Sequence, residues 1–259
     1  MIKSLVNGIW KYLPDQSLKI GEDTFGFNNG LYETFRTLSF KPIFLDEHID
    51  RLVSSAKIIG LKRFYSKNQI YDMTVRVIED FKKPDQLARI ILVKEKLIIY
   101  TTALKLNQDI YNGVKTITCR ADRNNPEIKA TNYRVCLEAW KKAKKVNCFE
   151  ALLVDGNNYL LEGSRSNIFW VKNNVIYTQK NEVLPGITRQ ILMTRSPIKI
   201  LFGNLDKKNI HDIDEFFITN SSSGIIPVTK IDKVNIGSGK PGTTTIKLLK
   251  EYNKWLHMQ

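Results

Sequence analysis

"EALLVDGNNYLLEGSRSNIFWVKNNVIYTQ" (150–179) strings together four apolar runs, EALLVD, YLLEG, NIFWVK and VIYTQ, each of strand length. Asp155-Gly156-Asn157-Asn158 and Asn173-Asn174 stand between runs, and these are the residue types that accept the positive φ of tight hairpin turns. The stretch therefore predicts a lobe of short, mostly antiparallel hairpin strands. One residue resists that reading. Between YLL and NIFWV a bend explains Gly163, Ser164, Arg165 and Ser166, but not why the acidic Glu162 follows directly on an apolar strand.

Working outward, EFFITN (215–220) reads as a further strand ending in SSSG, LPGITRQILM (184–193) as a glycine turn entering a helix, and Tyr133–Lys145 as a helix with Cys136, Trp140 and Ala143 on one stripe. A last helix opens near Pro241 and carries Leu248, Tyr252 and Trp255. Toward the N-terminus, GLYETFRTLSF (30–40) alternates like a strand and KPIFLD continues it after a turn at Lys41–Pro42. A helix then carries Leu45, Ile49, Leu52, Ala56 and Ile59, with Asp46 as its cap and Gly60 as its stop. Ser66 and Gln69 have capping-box spacing for a second helix to about Phe81. LARIILV and KLIIYTTAL read as paired strands. The polar RADRNNPEIKATN is the best boundary, dividing an α/β lobe (1–120) from a larger lobe (121–259). The class expected is α+β in two lobes.

The net charge is +14, from 40 basic and 26 acidic residues, but the lysines are scattered and the densest run, WKKAKK (140–145), reads as a solvated helix face. With no RNP-like, zinc-finger or basic-heptad motif, nucleic acid is not the expected partner. No apolar run nears the roughly 18–20 residues of a membrane span. Three cysteines without CxxC spacing argue against a disulfide framework or a metal site and, with no signal-like h-region at the N-terminus, place the chain in the cytoplasm.

Three polar features exceed what turns and strands require. Lys129 lies just before a helix at the proposed boundary; Glu162 ends an apolar strand; PGITR and ITNSSSG present backbone N–H groups and hydroxyls. Ile187 and Thr188 fall at a helix N-terminus, which favours an anion. Arg51, beside Leu52, supplies a bidentate charge for the same anion. A reactive amine, a carboxylate and a phosphate cradle together describe a site for pyridoxal phosphate.

With these motifs in order (GLYETFR, DEHIDRL, IKATNY, EALLVD, LLEGSRSNIFWV, LPGITR, ITNSSSGIIPV) the chain resembles the class IV pyridoxal-phosphate enzymes, namely branched-chain and D-amino-acid aminotransferases and aminodeoxychorismate lyase. The resemblance implies the two-lobed fold type IV, a homodimer and a small amino substrate. It implies that Lys129 carries the cofactor as a Schiff base, Glu162 pairs with the pyridine nitrogen, and Arg51, Ile187, Thr188 and Ser221 hold the phosphate, with Asn220 and Ser222 as neighbours. ETFR (33–36) resembles the lyase group, where Thr34 falls on an assisting threonine, so pyruvate release to give 4-aminobenzoate is the first expectation and amino transfer to a 2-oxo acid the alternative. Tyr32 lines the pocket in this reading. The place where relatives carry an arginine for the substrate carboxylate reads only LVKEKLIIYTT, which leaves Arg36, Lys94 and Arg165 as substitutes.

Overall fold

Asn173 and Asn174 adopt φ of 51° and 62°, the left-handed pair of a two-residue hairpin turn, and join β10 (Asn167–Lys172) to β11 (Val175–Thr178) in antiparallel register. The computed structural model describes residues 1–20, 30–62, 65–121 and 123–258. Its contacts separate two compact units, one of Met1–Lys105, Ile128–Arg134 and Leu256–Gln259, the other of Leu106–Glu127 and Val135–Trp255. Residues 128–134, expected from the sequence in the C-terminal lobe, thus pack with the first unit.

The first unit is built on an antiparallel sheet of order β2–β1–β6–β5–β3–β4, from β1 (Ile2–Val6), β2 (Ile9–Leu13), β3 (Gly30–Leu38), β4 (Lys41–Pro42), β5 (Gln86–Val93) and β6 (Lys96–Ala103). The β1–β2 hairpin was not foreseen: β2, an edge strand of mixed polarity with Ile9 and Tyr12 exposed, gives no clean alternation. The turn after β3 also differs. It falls at Ser39 and Phe40, with φ of 50° and 67°, while Lys41–Pro42 forms the edge strand, where proline's fixed φ and missing N–H cost nothing.

α1 (Leu45–Ile58) starts from a left-handed Phe44 and has no side-chain cap; Asp46 sits in its first turn, where the helix dipole favours an acid. α2 (Lys67–Asp80) has the expected capping box, with Ser66 and Gln69 bonding reciprocally. Both helices bury their apolar stripes on one sheet face, against Leu31, Phe35, Ala88, Ile90 and Leu92. Because successive side chains alternate, Tyr32, Thr34, Arg36, Arg89 and Tyr100 are left on the other face, which is not covered by these helices.

The second unit carries a ten-stranded sheet of order β12–β11–β10–β14–β15–β7–β8–β9–β13, with β16 beside β15. The strands not yet given are β7 (Val114–Arg120), β8 (Glu150–Val154), β9 (Tyr159–Gly163), β12 (Ile200–Phe202), β13 (Leu205–Asp206), β14 (Glu215–Asn220), β15 (Gly224–Ile231) and β16 (Val234–Asn235). Three pairings are parallel, β7–β8, β7–β15 and β11–β12. Hairpin spacing cannot reveal these: the β7–β8 crossover runs through α3 (Arg134–Lys145), and β7–β15 joins distant strands. Leu152, Ile168, Phe216, Ile218 and Ile226 lie in its core, and the α-helices of the later chain are α4 (Ile187–Arg195) and α5 (Thr243–His257) among the described residues.

Candidate active site

Residues 128–134 add an extended segment to the start of β3. Leu31 and Ala130 form an antiparallel bridge, Tyr32 N–H donates to Lys129 O (3.1 Å), Thr131 N–H to Gly30 O (2.8 Å), and Gly30 N–H to the Thr131 hydroxyl (3.0 Å). Position 30 must be glycine for this approach, since a Cβ there would strike Val93 Cγ1 and lie 2.9 Å from Leu92 O. The pairing sets Lys129 Nζ 4.5 Å from the centroid of the Tyr32 ring, with Tyr133 edge-on to Tyr32 at 6.1 Å. Lys129 is thereby brought to the sheet face of Tyr32, Thr34 and Arg36.

That face holds a residue that sequence reasoning missed. Arg89 stands opposite Thr34 on β3 and Tyr100 on β6; its Nε donates to Thr34 Oγ1 (3.2 Å) and its Nη1 to Tyr100 Oη (3.1 Å). Burial raises the Tyr100 pKa against the pull of Arg89, so the phenol stays neutral. Arg89 stands in LARIILV, inside the strand, where nothing in the neighbouring sequence marks it, whereas a carboxylate-binding arginine was expected after the strand. The other proposed substitutes, Lys94 and Arg165, do not join this group. Lys94 is an exposed residue of the β5–β6 turn, and Arg165, in the second unit, stacks on Trp140 at 4.5 Å.

Arg51 points to the helix-covered face, where it meets Glu33. Its Nε donates to Oε1 (2.8 Å) and its Nη2 to Oε2 (2.6 Å), while His48 Nδ1 lies 2.6 Å from Oε2. Burial alone would raise the Glu33 pKa, but the Arg51 charge and the hydrogen bonds from His48 and Arg51 outweigh it and hold it at about 2. Burial pushes His48 below its ordinary value against the pull of Glu33, so the imidazole is neutral at pH 7 and donates through Nδ1.

In the second unit Glu162 is the penultimate residue of β9 and is only 3% exposed. Leu184 N–H donates to its Oε2 (3.0 Å), Asn167 Nδ2 lies 3.5 Å from the same oxygen and donates to Leu184 O (2.8 Å), and Arg123 pairs with Oε1. Gly163 and Gly186 permit this packing: a Cβ on either would collide with the Ser166 or Asn167 side chain, respectively. A cavity of about 280 Å3 borders Glu162 and Arg123, with Leu153, Leu161 and Glu182 in its wall. Buried Arg189 bonds Gln179 O (2.6 Å); burial lowers its pKa and the nearby Glu162 charge opposes that shift.

Gly186 opens α4 without any side-chain cap, so the first-turn N–H groups at Ile187 and Thr188 have no capping side chain and suit an anion. The Thr188 hydroxyl lies 3.5 Å from Tyr252 Oη. Tyr252 also packs against Gly224, the residue just after the 221–223 loop: a Cβ there (φ +74°) would lie 2.7 Å from its ring. One aromatic of α5, read from sequence only as part of a helix stripe, therefore holds the helix start beside the serine loop. In that loop Asn220 Oδ1 accepts from Ser222 Oγ (2.9 Å) and Ser223 N–H (2.8 Å), so Asn220 and Ser222 shape the turn, and Ser221 follows the strand end. The uncapped helix start and the buried Thr188 hydroxyl offer donors suited to a phosphate, and the buried Glu162 carboxylate offers an acceptor suited to a protonated pyridine nitrogen.

A family model described as amino-transferase class IV matches residues 30–231. D-alanine aminotransferase of Bacillus licheniformis is 29% identical over 94% of this chain and 93% of its own length. Aminodeoxychorismate lyase of Bacillus subtilis is 28% identical over 97% and 95%. The solved branched-chain amino acid aminotransferase of Escherichia coli superposes with a TM-score of 0.86 at 22% identity, covering 98% of this chain and 94% of that one.

Proposed function

Because this chain belongs to the class IV amino-transferase family of pyridoxal-phosphate enzymes, we propose that it works at the amino-bearing carbon of a small anionic substrate and releases pyruvate in the manner of aminodeoxychorismate lyase. The observation that carries this reading is the Thr34 hydroxyl, which Arg89 grips on the sheet face that Lys129 shares. A lyase must protonate a departing oxygen, and a hydroxyl polarised by a guanidinium is suited to that. The lyase from B. subtilis, similar along nearly the whole chain, supports it.

When bound, the cofactor supplies an aldehyde for the substrate amine and a pyridinium ring that withdraws electrons. Lys129 holds it and moves the proton at the substrate carbon. Glu162 keeps positive charge at the ring nitrogen, because an opposite charge favours the protonated form. Arg51, the N–H groups of Ile187 and Thr188, the Thr188 hydroxyl and Ser221 take the phosphate, with Asn220 and Ser222 setting the loop. Arg36 and Arg89 bind substrate carboxylate and Tyr32 walls the pocket. A cytoplasmic homodimer completes the reading, and light scattering from a stable monomer would remove that part of it.

The second reading is amino transfer to a 2-oxo acid, supported by the D-alanine aminotransferase relative and by two arginines on one face. Incubation with aminodeoxychorismate while pyruvate is followed, beside a spectroscopic test for conversion of the cofactor to its pyridoxamine form by amino acids, separates the two. Pyruvate release supports the lyase; pyridoxamine formation without pyruvate overturns it in favour of amino transfer.

A further inference from the structure

Among the described residues Tyr252 is the largest side chain that is almost wholly buried, at 1% exposure. Phenylalanine would fill the same space, and a buried phenol costs free energy unless its hydroxyl is bonded. Packing alone therefore does not account for the hydroxyl, which reaches Thr188 Oγ1 at 3.5 Å.

The helix that carries Tyr252 is fixed along β14. At the start of that strand Glu215 accepts from the Thr244 and Thr245 N–H groups (2.9 and 2.8 Å) and from the Thr245 hydroxyl (2.7 Å). The carboxylate thus satisfies the orphan N–H groups at the positive end of α5, and Gly242 leaves it room, since a Cβ there would strike the Glu215 side chain. Thr245, Leu248 and Tyr252 share the buried face of α5 over the next two turns. Tyr252 so arrives at the other end of β14, where Asn220 pairs with Gly224 across the Ser221–Ser223 loop. Its ring packs on Gly224, and Tyr111 holds the same loop by donating from Oη to Ser223 O (2.7 Å).

The two contacts of Tyr252 join pieces of chain that lie far apart in sequence, the start of α4 and the serine loop. A hydroxyl serves a phosphate oxygen only within hydrogen-bond distance, and a helical threonine divides its χ1 between two rotamers. Contact with the phenol selects one of them for Thr188.

We infer that Tyr252 is a positioning residue for the cofactor phosphate: its hydroxyl fixes the Thr188 hydroxyl in one rotamer, and its ring sets the distance from the start of α4 to the serine loop. This rests on the reading of Thr188 and Ser221 as phosphate ligands and goes beyond it, since Tyr252 acts through Thr188 and the loop.

The test compares two probes, pyridoxal phosphate and pyridoxal, titrated into cofactor-depleted full-length protein with tryptophan fluorescence as the readout; the ratio of their Kd values is the phosphate preference. Thr188→Val should lower that preference about thirtyfold, because a hydrogen bond to a charged group is lost, and Tyr252→Phe about fivefold. Thr188→Val/Tyr252→Phe should be no worse than Thr188→Val, because the phenol hydroxyl works through Thr188. Gly224→Ala, whose new Cβ displaces the ring, should lower the preference as well and gives the reading should Tyr252→Phe not fold; melting curves on every variant identify a loss that comes from unfolding. Equal weakening of both probes by Tyr252→Phe, or an additive double variant, would overturn the inference. So would a wild-type preference in Tyr252→Phe, or in Gly224→Ala where it stands in, beside a collapsed one in Thr188→Val, which would leave Thr188 as a phosphate ligand that needs no support. An unchanged preference in Thr188→Val would remove the phosphate reading of Thr188 itself.

Discussion

Two buried glutamates, one in each unit, are both gripped by an arginine, but they are assembled differently. Glu33 is satisfied by side chains alone, from residues 15 and 18 positions away on a single helix. Glu162 draws on Arg123, Asn167 and the backbone N–H of Leu184, which lie 39, 5 and 22 positions away on loops and a strand start. The first cluster is closed inside one strand–helix unit and is tied to the stability of that fold. The second is held by segments that also shape a cavity and the entry to α4, so its loss should register in chemistry before stability.

The comparison can be broken in several ways. The largest effect expected is outside both clusters: Lys129→Ala should abolish the yellow absorbance of the loaded enzyme and cut turnover on the order of 10⁴-fold, and a coloured, active variant would leave neither glutamate a cofactor to serve. Glu33→Gln should destabilise the first unit by about 3–5 kcal/mol, because Arg51, with a side chain only 8% exposed, loses its counter-charge; denaturant melts read this directly. Glu162→Gln should do the reverse, sparing the melt and the colour while slowing turnover about a hundredfold. An undiminished rate would return Glu162 to the turn.

Acid sharpens the contrast. The Glu33 pKa is held at about 2 against an ordinary 4.5, so its stabilisation, on the order of 3 kcal/mol, is present above pH 4.5 and lost as pH falls toward 2. His48 is also depressed, from 6.5, which adds a loss of the same sign that begins below pH 6.5. Circular dichroism should show Glu33→Gln with a flatter acid profile than wild type between pH 4.5 and 2; identical profiles would mean that Glu33 is not the controlling group. The smallest effect is Thr131→Val, which removes the hydroxyl that accepts from Gly30 N–H and should cost about 1 kcal/mol by thermal melt.

Much of this was legible in the sequence because local chemistry wrote it. The Ser66–Gln69 box, the Asn173–Asn174 turn and the strand from Glu215 to Asn220 each need only neighbours in the chain. Asp46 misled because a left-handed Phe44 starts α1 without a cap, and Lys41–Pro42 misled because proline also suits an edge strand. The candidate site residues stood out in the sequence as types, and Glu162 did so as an acid on an apolar strand. Arg89, Tyr252 and the Glu33–His48 pair were not, since cross-strand register and helix-to-loop contact decide what they touch, and no window of neighbouring residues contains that information.

The parallel pairing of β7 with β15 has a consequence for the making of this protein. Thr118 and Asp232, which bond across that pair, are 114 residues apart. At a synthesis rate of about 5–20 residues per second, β7 waits roughly 6 to 23 seconds for its neighbour to be translated. Until then β7 has an unpaired edge, whereas all six strands of the first sheet have been made by Ala103. The nascent chain thus passes through a long interval in which one lobe has its sheet and the other is an open template, and it is during that interval that a holding chaperone would matter most.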